Sequence, residues 1–138
     1  MMMHAETALF VGTDIVEVER IKRAISQSKP GFLQRVFTPA EISKINLASP
    51  NYERAAGFWA AKESMVKALG TGFRDGIRFH DIEIAYKQYG CPCIVPRGRL
   101  KELLSKQGNA QISLSISHCR LYAIAVVVVA TRNLSDRV

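Results

Sequence analysis

Tyr52 to Gly72 reads YERAAGFWAAKESMVKALGTG. The stretch from Tyr52 to Leu69 has no proline and only Gly57 as a breaker, enough for a helix of about five turns. Ser49-Pro50 marks its start, and Gly70 and Gly72 end it. On a helical wheel Trp59, Glu63, Val66 and Lys67 lie near one another, with Lys62, Met65 and Leu69 toward another side. A carboxylate and an ammonium therefore project together from an Ala-rich, tightly packable helix. Such a helix suits a core position.

Toward the N-terminus, Leu9 to Ile15 mixes apolar and β-branched residues around Gly12 and predicts a first strand that ends in an acidic turn at Asp14. Glu17 to Ser28 carries Val18, Ile21 and Ile25 at helical spacing, with Arg20, Lys22, Arg23 and Lys29 around the other sides. This predicts an amphipathic helix with a basic outer side. Lys29-Pro30-Gly31 interrupts it, and a short apolar segment runs from Phe32 to Phe37. Thr38-Pro39-Ala40-Glu41 is a capping box with proline in the first turn, so a further helix should run from Thr38 to about Leu47.

Toward the C-terminus, Asp81 to Tyr86 alternates as a strand, and Cys93 to Val95 is a second short apolar stretch after the turn Gly90-Cys91-Pro92. Leu100, Leu103 and Leu104 predict a short helix ended by Gly108. Ala110 to His118 alternates, with Ile112, Leu114, Ile116 and His118 on one face and Ser113, Ser115 and Ser117 on the other. Tyr122 to Ala130 is apolar on both faces, as expected of a fully buried central strand joined to the preceding one by a hairpin at Cys119 to Leu121. The polar Thr131 to Val138 reads as a loose tail. There is no internal repeat or linker, and residues 1–138 read as one domain.

Composition limits what the chain does. With 48% hydrophobic and 22% charged residues, wholesale disorder and filament-like low complexity are excluded. The net charge of +7 favours an acidic partner without naming it. The longest apolar run, Leu121 to Ala130, is half of the roughly twenty residues a membrane-crossing helix needs. No Lys or Arg precedes the apolar run Ala8 to Val11, which argues against a signal peptide. Cys91, Cys93 and Cys119 lack the pairs of a zinc knuckle and read as small buried thiols in a reducing, cytoplasmic setting.

Four residues could carry chemistry. Asp14 follows Val11-Gly12-Thr13, where Gly12 allows a close approach of backbone or ligand; it could equally cap the next helix. Glu63 and Lys67, at i and i+4, form by default a modest helix ion pair, but a carboxylate beside Trp59-Ala60-Ala61 is costly unless a cation or metal holds it. His118 ends an apolar strand face. Ser117 points to the opposite face, so a Ser/His nucleophile pair is not expected. Gly70-Thr71-Gly72 lies at a helix C-terminus, whereas phosphate cradles use N-termini. From the residues alone there are two acids able to hold Mg²⁺ and a lysine and a histidine able to hold phosphate.

Those residues sit in longer strings. Gly12-Thr13-Asp14-Ile15-Val16-Glu17-Val18-Glu19-Arg20-Ile21, Phe58 to Gly72, and Ser113-Leu114-Ser115-Ile116-Ser117-His118 closely resemble the holo-[acyl-carrier-protein] synthases, the short 4′-phosphopantetheinyl transferases. The resemblance runs along nearly the whole chain in order, including Gly90-Cys91-Pro92. It implies an α+β fold of that family: an N-terminal strand, a helical segment with one long helix, then antiparallel strands with a short helix. It implies that the phosphopantetheine of coenzyme A goes to a serine of apo acyl carrier protein in a Mg²⁺-dependent reaction of fatty acid biosynthesis, 3′,5′-ADP leaving.

By the same resemblance Asp14 and Glu63 would bind Mg²⁺, Glu63 and Lys67 would serve the chemistry, and Lys67 and His118 would contact coenzyme phosphates. Arg20, with Lys22 and Arg23 extending its surface, would meet the acidic carrier, and a chain this short would form a homotrimer with active sites between subunits. One departure matters: Phe58-Trp59 stands where the family often has Arg-Phe, which puts coenzyme affinity in question. A rival reading, an RNA-binding module, rests on the charge alone, since the aromatic residues are dispersed and no RNP-like or KH-like string is present. Neither nucleic acid nor membrane is therefore expected as a partner. A second rival is another Mg²⁺-dependent phosphoryl-transfer enzyme sharing the two acids.

Overall fold

The long helix forms as its sequence dictates. In the computed structural model, which describes residues 5–28, 30–108 and 110–134, α4 spans Tyr52–Leu69. The Asn51 side chain accepts from the Arg54 N–H at its start, and Gly70 closes it at φ +76°, a conformation that favours glycine. Ala55, Ala56, Ala60, Ala61, Met65, Val66 and Ala68 are all buried. The small residues let α4 lie close against a three-stranded sheet.

That sheet has the order β1-β5-β4, all antiparallel, with β1 at Ala5–Glu17, β4 at Gln111–His118 and β5 at Tyr122–Leu134. Gly12 on β1 shows why this packing is so close: a Cβ there would collide with the Ser64 carbonyl oxygen and stand 2.6 Å from the Ala68 nitrogen. Gly57 allows a similar approach to Ile116 on β4. The Ser64 hydroxyl donates to the Ala125 carbonyl at 3.0 Å, tying α4 to the central strand as well.

Between β1 and α4 run α1 (Val18–Ser28), α2 (Gly31–Val36) and α3 (Pro39–Ile45). Val18, Ile21 and Ile25 are the buried face of α1, as their spacing predicts. The capping box at Thr38 is present in both directions. After α4, β2 (Ile82–Tyr86) and β3 (Pro92–Pro96) form a two-stranded antiparallel sheet, and α5 covers Gly98–Ser105. One contiguous apolar core joins both sheets and the helices.

The short apolar segment Phe32 to Phe37 is largely the helix α2. Four expectations change. The first strand is longer than Leu9 to Ile15, and Asp14 lies inside it, so it caps no helix. Thr131 to Leu134, expected in a loose tail, extends β5 because Ala8 and Thr7 of β1 pair with Thr131 and Arg132; residues 135–138, like Lys29 and residues 1–4, lie outside the description. The β5 strand is central but buried on one face only. Ala123, Ala125, Val127 and Val129 are fully buried, while Ile124 is 40% exposed. Finally, Cys91 and Cys119 are exposed and Cys93 is only half-buried, so they are not core thiols.

The core also holds a charged pair. Lys62 and Glu41, both fully buried, meet at 2.9 Å. Lys62 also donates to the Phe79 carbonyl, and Glu41 accepts from the Thr38 and Ile84 backbone N–H groups. Burial pushes the Lys62 ammonium below its ordinary pKa, against the pull of Glu41. The capping-box glutamate thus binds the start of α3 to both α4 and β2.

Candidate active site

The crossing of β1 over α4 builds the site. Residues 12, 14 and 16 of β1 share the face turned to α4. Because Gly12 brings the backbones together, Asp14 arrives beside the last two turns of the helix, where Glu63 and Lys67 project. Lys67 Nζ lies 3.0 Å from Asp14 Oδ1, with the carboxylate mostly buried and the ammonium half exposed. The ion pair expected between Lys67 and Glu63 is therefore replaced by one with the strand.

Glu63 is left half-buried, with its pKa raised above the usual carboxylate range. The first cause is burial and the second is the negative charge of Asp14; Lys67 and Arg20 pull the other way. A half-buried carboxylate whose charge is disfavoured by burial and by a neighbouring carboxylate, next to one lysine, suits a hard cation with oxygen ligands. Among the described residues no cluster of three or more His, Cys, Asp or Glu exists that could hold a metal without help. Any ion held by Asp14 and Glu63 must complete its shell with water or substrate oxygens, as Mg²⁺ does when it binds phosphates.

His118 is not part of this cluster. It ends β4, and its Nδ1 lies 2.7 Å from Glu53 Oε1 in the first turn of α4. Ten residues separate Glu53 from Glu63, about 15 Å of helix. The register puts Val16, Ala123 and His118 in one row, so two strand spacings also divide the histidine from β1. Ser117 does point to the other face.

The basic residues of α1 differ in their surroundings. Arg20 is exposed and close enough to Glu63 for its charge to be felt there. Lys22 stands over the Tyr52 ring at 5.7 Å, and Arg23 makes an exposed 4.0 Å contact with Glu19. Sequence reasoning missed Glu53, the partner of His118, and Arg54, whose guanidinium lies over the Tyr86 ring at 5.7 Å. Their only signal was position in the first turn of α4, which by itself suggests a charge on a helix end.

Comparison with known proteins gives the site its context. Residues 10–127 match the family model described as the 4′-phosphopantetheinyl transferase superfamily. The chain is 46% identical over 120 residues to the holo-[acyl-carrier-protein] synthase of Thermoanaerobacter sp. (strain X514), covering 87% of this chain and 86% of that protein. It superposes on the crystal structure of holo-[acyl-carrier-protein] synthase from Neisseria meningitidis with a TM-score of 0.79 at 34% identity, covering 87% and 96% of the two chains. The Helicobacter pylori holo-[acyl-carrier-protein] synthase in complex with coenzyme A gives a TM-score of 0.74 at 37% identity, over 86% and 98%.

Proposed function

The chain belongs to the 4′-phosphopantetheinyl transferase superfamily, among its holo-[acyl-carrier-protein] synthases, and from that premise we propose that Asp14, Glu63 and Lys67 form the reacting centre. The enzyme transfers the 4′-phosphopantetheine group of coenzyme A to apo acyl carrier protein, a step that serves fatty acid biosynthesis. The carrier serine oxygen gives its proton to Glu63 or to a water and bonds to the phosphorus on the pantetheine side, the bond from that phosphorus to the bridging oxygen breaks, and adenosine 3′,5′-bisphosphate leaves with that oxygen. The observation that carries the assignment is the meeting of two carboxylates and one ammonium where β1 crosses α4.

Asp14 and Glu63 would hold Mg²⁺. The ion would draw electron density from the diphosphate and neutralise charge as its bond breaks. Lys67 brings a second positive charge to the same place, half exposed and held at 3.0 Å by Asp14. Residues 1–138 act as a single transferase domain in this reading, supported by one contiguous core. The three free cysteines suit the cytoplasm. Among the described residues no helix is long and apolar enough to cross a membrane.

The acidic carrier docks on α1, with Arg20 at the end of that surface nearest the acids and Lys22 and Arg23 beyond it. Arg20→Glu is expected to slow carrier association about tenfold or more at low salt, and the loss shrinks as salt rises. Stopped-flow association at two ionic strengths checks this, with coenzyme A affinity unchanged in calorimetry. Equal loss of both affinities would move Arg20 into the coenzyme pocket.

The enzyme works as a homotrimer with shared sites. The sheet face away from α4 supports this: Leu9, Val11 and Ile15 are 65%, 59% and 65% exposed beside Ile124 and Tyr122, an apolar surface suited to further copies of the chain. The distance along α4 between His118 and Glu63 supports it too, since a second copy can bring its His118 to the first copy's acids. Mixing and reassembling Glu63→Ala with His118→Ala should restore transfer that each lacks alone. A fully active monomer in light scattering, or no rescue on mixing, would remove the shared site.

A further inference from the structure

Two of the three cysteines stand together at the start of β3. Cys91 is exposed and Cys93 half-buried, so neither thiol is taken up by the core. Cys91 has extended backbone, and its carbonyl accepts from the Lys87 N–H at 2.7 Å, which carries the β2–β3 pairing one step beyond Tyr86 and Pro92. Residues 91, 93 and 95 therefore share one face of the strand. The other face holds Ile94, which is buried in the core, and Pro92, which lines a cavity beside His118. Opposite Cys93 stands Ala85, too short to cover a thiol, and opposite Cys91 stands Lys87. The acid on that face, Glu83, is engaged by Arg97 and Thr38.

The spacing decides what the two sulfurs can join. Strand residues two apart lie roughly 6.6 Å from each other, whereas a disulfide needs Cβ atoms about 3.5–4.5 Å apart. Closing one would pull Cys91 away from Lys87. A metal ion between the sulfurs bridges the gap, because two metal–sulfur bonds of about 2.3 Å set the sulfurs up to roughly 4.6 Å apart. Among the described residues no group of three or more His, Cys, Asp or Glu could hold a metal, so the pair does not belong to a four-ligand zinc site. Soft thiolates select Cu(I), an ion satisfied by two ligands in line. We infer that Cys91 and Cys93 form a two-thiolate site for Cu(I), separate from the acids of the reacting centre. Each thiol gives its proton to solvent as its sulfur binds the ion. The complex carries one negative charge, which the Lys87 ammonium across the ladder offsets.

The test is an anaerobic competition for Cu(I) between the full, reduced chain and the chromogenic chelator bicinchoninate. The wild type should withdraw one Cu(I) per chain, and X-ray absorption at the copper edge should show two sulfur neighbours. Cys91→Ser and Cys93→Ser should each lower the affinity about a hundredfold or more, since even the hydrogen-bond partners of metal ligands are worth about ten- to a hundredfold. Cys119→Ser should bind as the wild type does. Both replaced thiols lie outside the core, so the serine variants should keep the wild-type circular dichroism spectrum. The site is overturned if the wild type leaves the copper with the chelator, if either serine variant keeps wild-type affinity, or if Cys119→Ser loses as much as they do. Three sulfur neighbours, or one copper per two chains, would overturn it as well, because the ion would then be held between chains. Phosphopantetheine transfer enters none of these readouts, so the transferase reading stands or falls separately.

Discussion

Asp14→Ala should lower phosphopantetheine transfer by about 10²–10³-fold or more at saturating Mg²⁺, with the fold intact. The size follows from what one side chain does at the crossing of β1 and α4. In the proposed site it would supply one of the two carboxylates that hold the ion, and it pairs with the Lys67 ammonium at 3.0 Å. Removing it would therefore weaken both of the positive charges proposed to face the diphosphate. The fold should tolerate the change because Lys67 is half exposed, so the lost pair is worth about 1 kcal/mol or less, and Glu63 is relieved of a neighbouring negative charge. Circular dichroism and urea unfolding check the second statement, and turnover across a Mg²⁺ titration checks the first. Glu63→Ala should behave alike. Near-normal turnover of either variant would end its assignment as a ligand.

Lys62→Met should have the opposite signature, a large loss of stability of about 3–5 kcal/mol. At this chain length that corresponds to a fall in Tm of roughly ten degrees or more. The side chain is similar in length, so little volume is lost; what remains is the Glu41 carboxylate, fully buried with no countercharge within reach. Two backbone N–H groups, of Thr38 and Ile84, hold that carboxylate in place and prevent it from turning to water. Replacing Glu41 as well would only exchange the stranded charge for two orphaned donors. A loss below about 1 kcal/mol in urea unfolding would show that the pair is dispensable to the core.

The elements were legible where local chemistry decides them. The caps and glycines around Tyr52 to Leu69 gave α4 its ends, and the Thr38–Glu41 box marked α3 because both of its hydrogen bonds lie within four residues. What remained hidden depends on long-range geometry. No spacing rule pairs Lys67 with Asp14, 53 residues away, and only Gly12 hinted that β1 approaches a backbone closely. The same glutamate that was readable as a cap gave no sign of its buried partner Lys62, because a helix wheel distinguishes faces without saying which face meets the core. His118 was correctly placed at the end of an apolar strand face, yet the sequence could not tell which end of α4 it meets. Thr131 to Leu134 look like a tail by polarity. They form a strand because the β1 partner extends far enough to pair with them.

The most direct test of the whole account is the intact mass of apo acyl carrier protein after incubation with this enzyme and coenzyme A, with Mg²⁺ or with a chelator. A phosphopantetheine-sized gain on the carrier serine is expected with Mg²⁺, abolished by the chelator and by Asp14→Ala. No gain with several bacterial-type carriers, or a gain indifferent to the chelator and to Asp14, would contradict it.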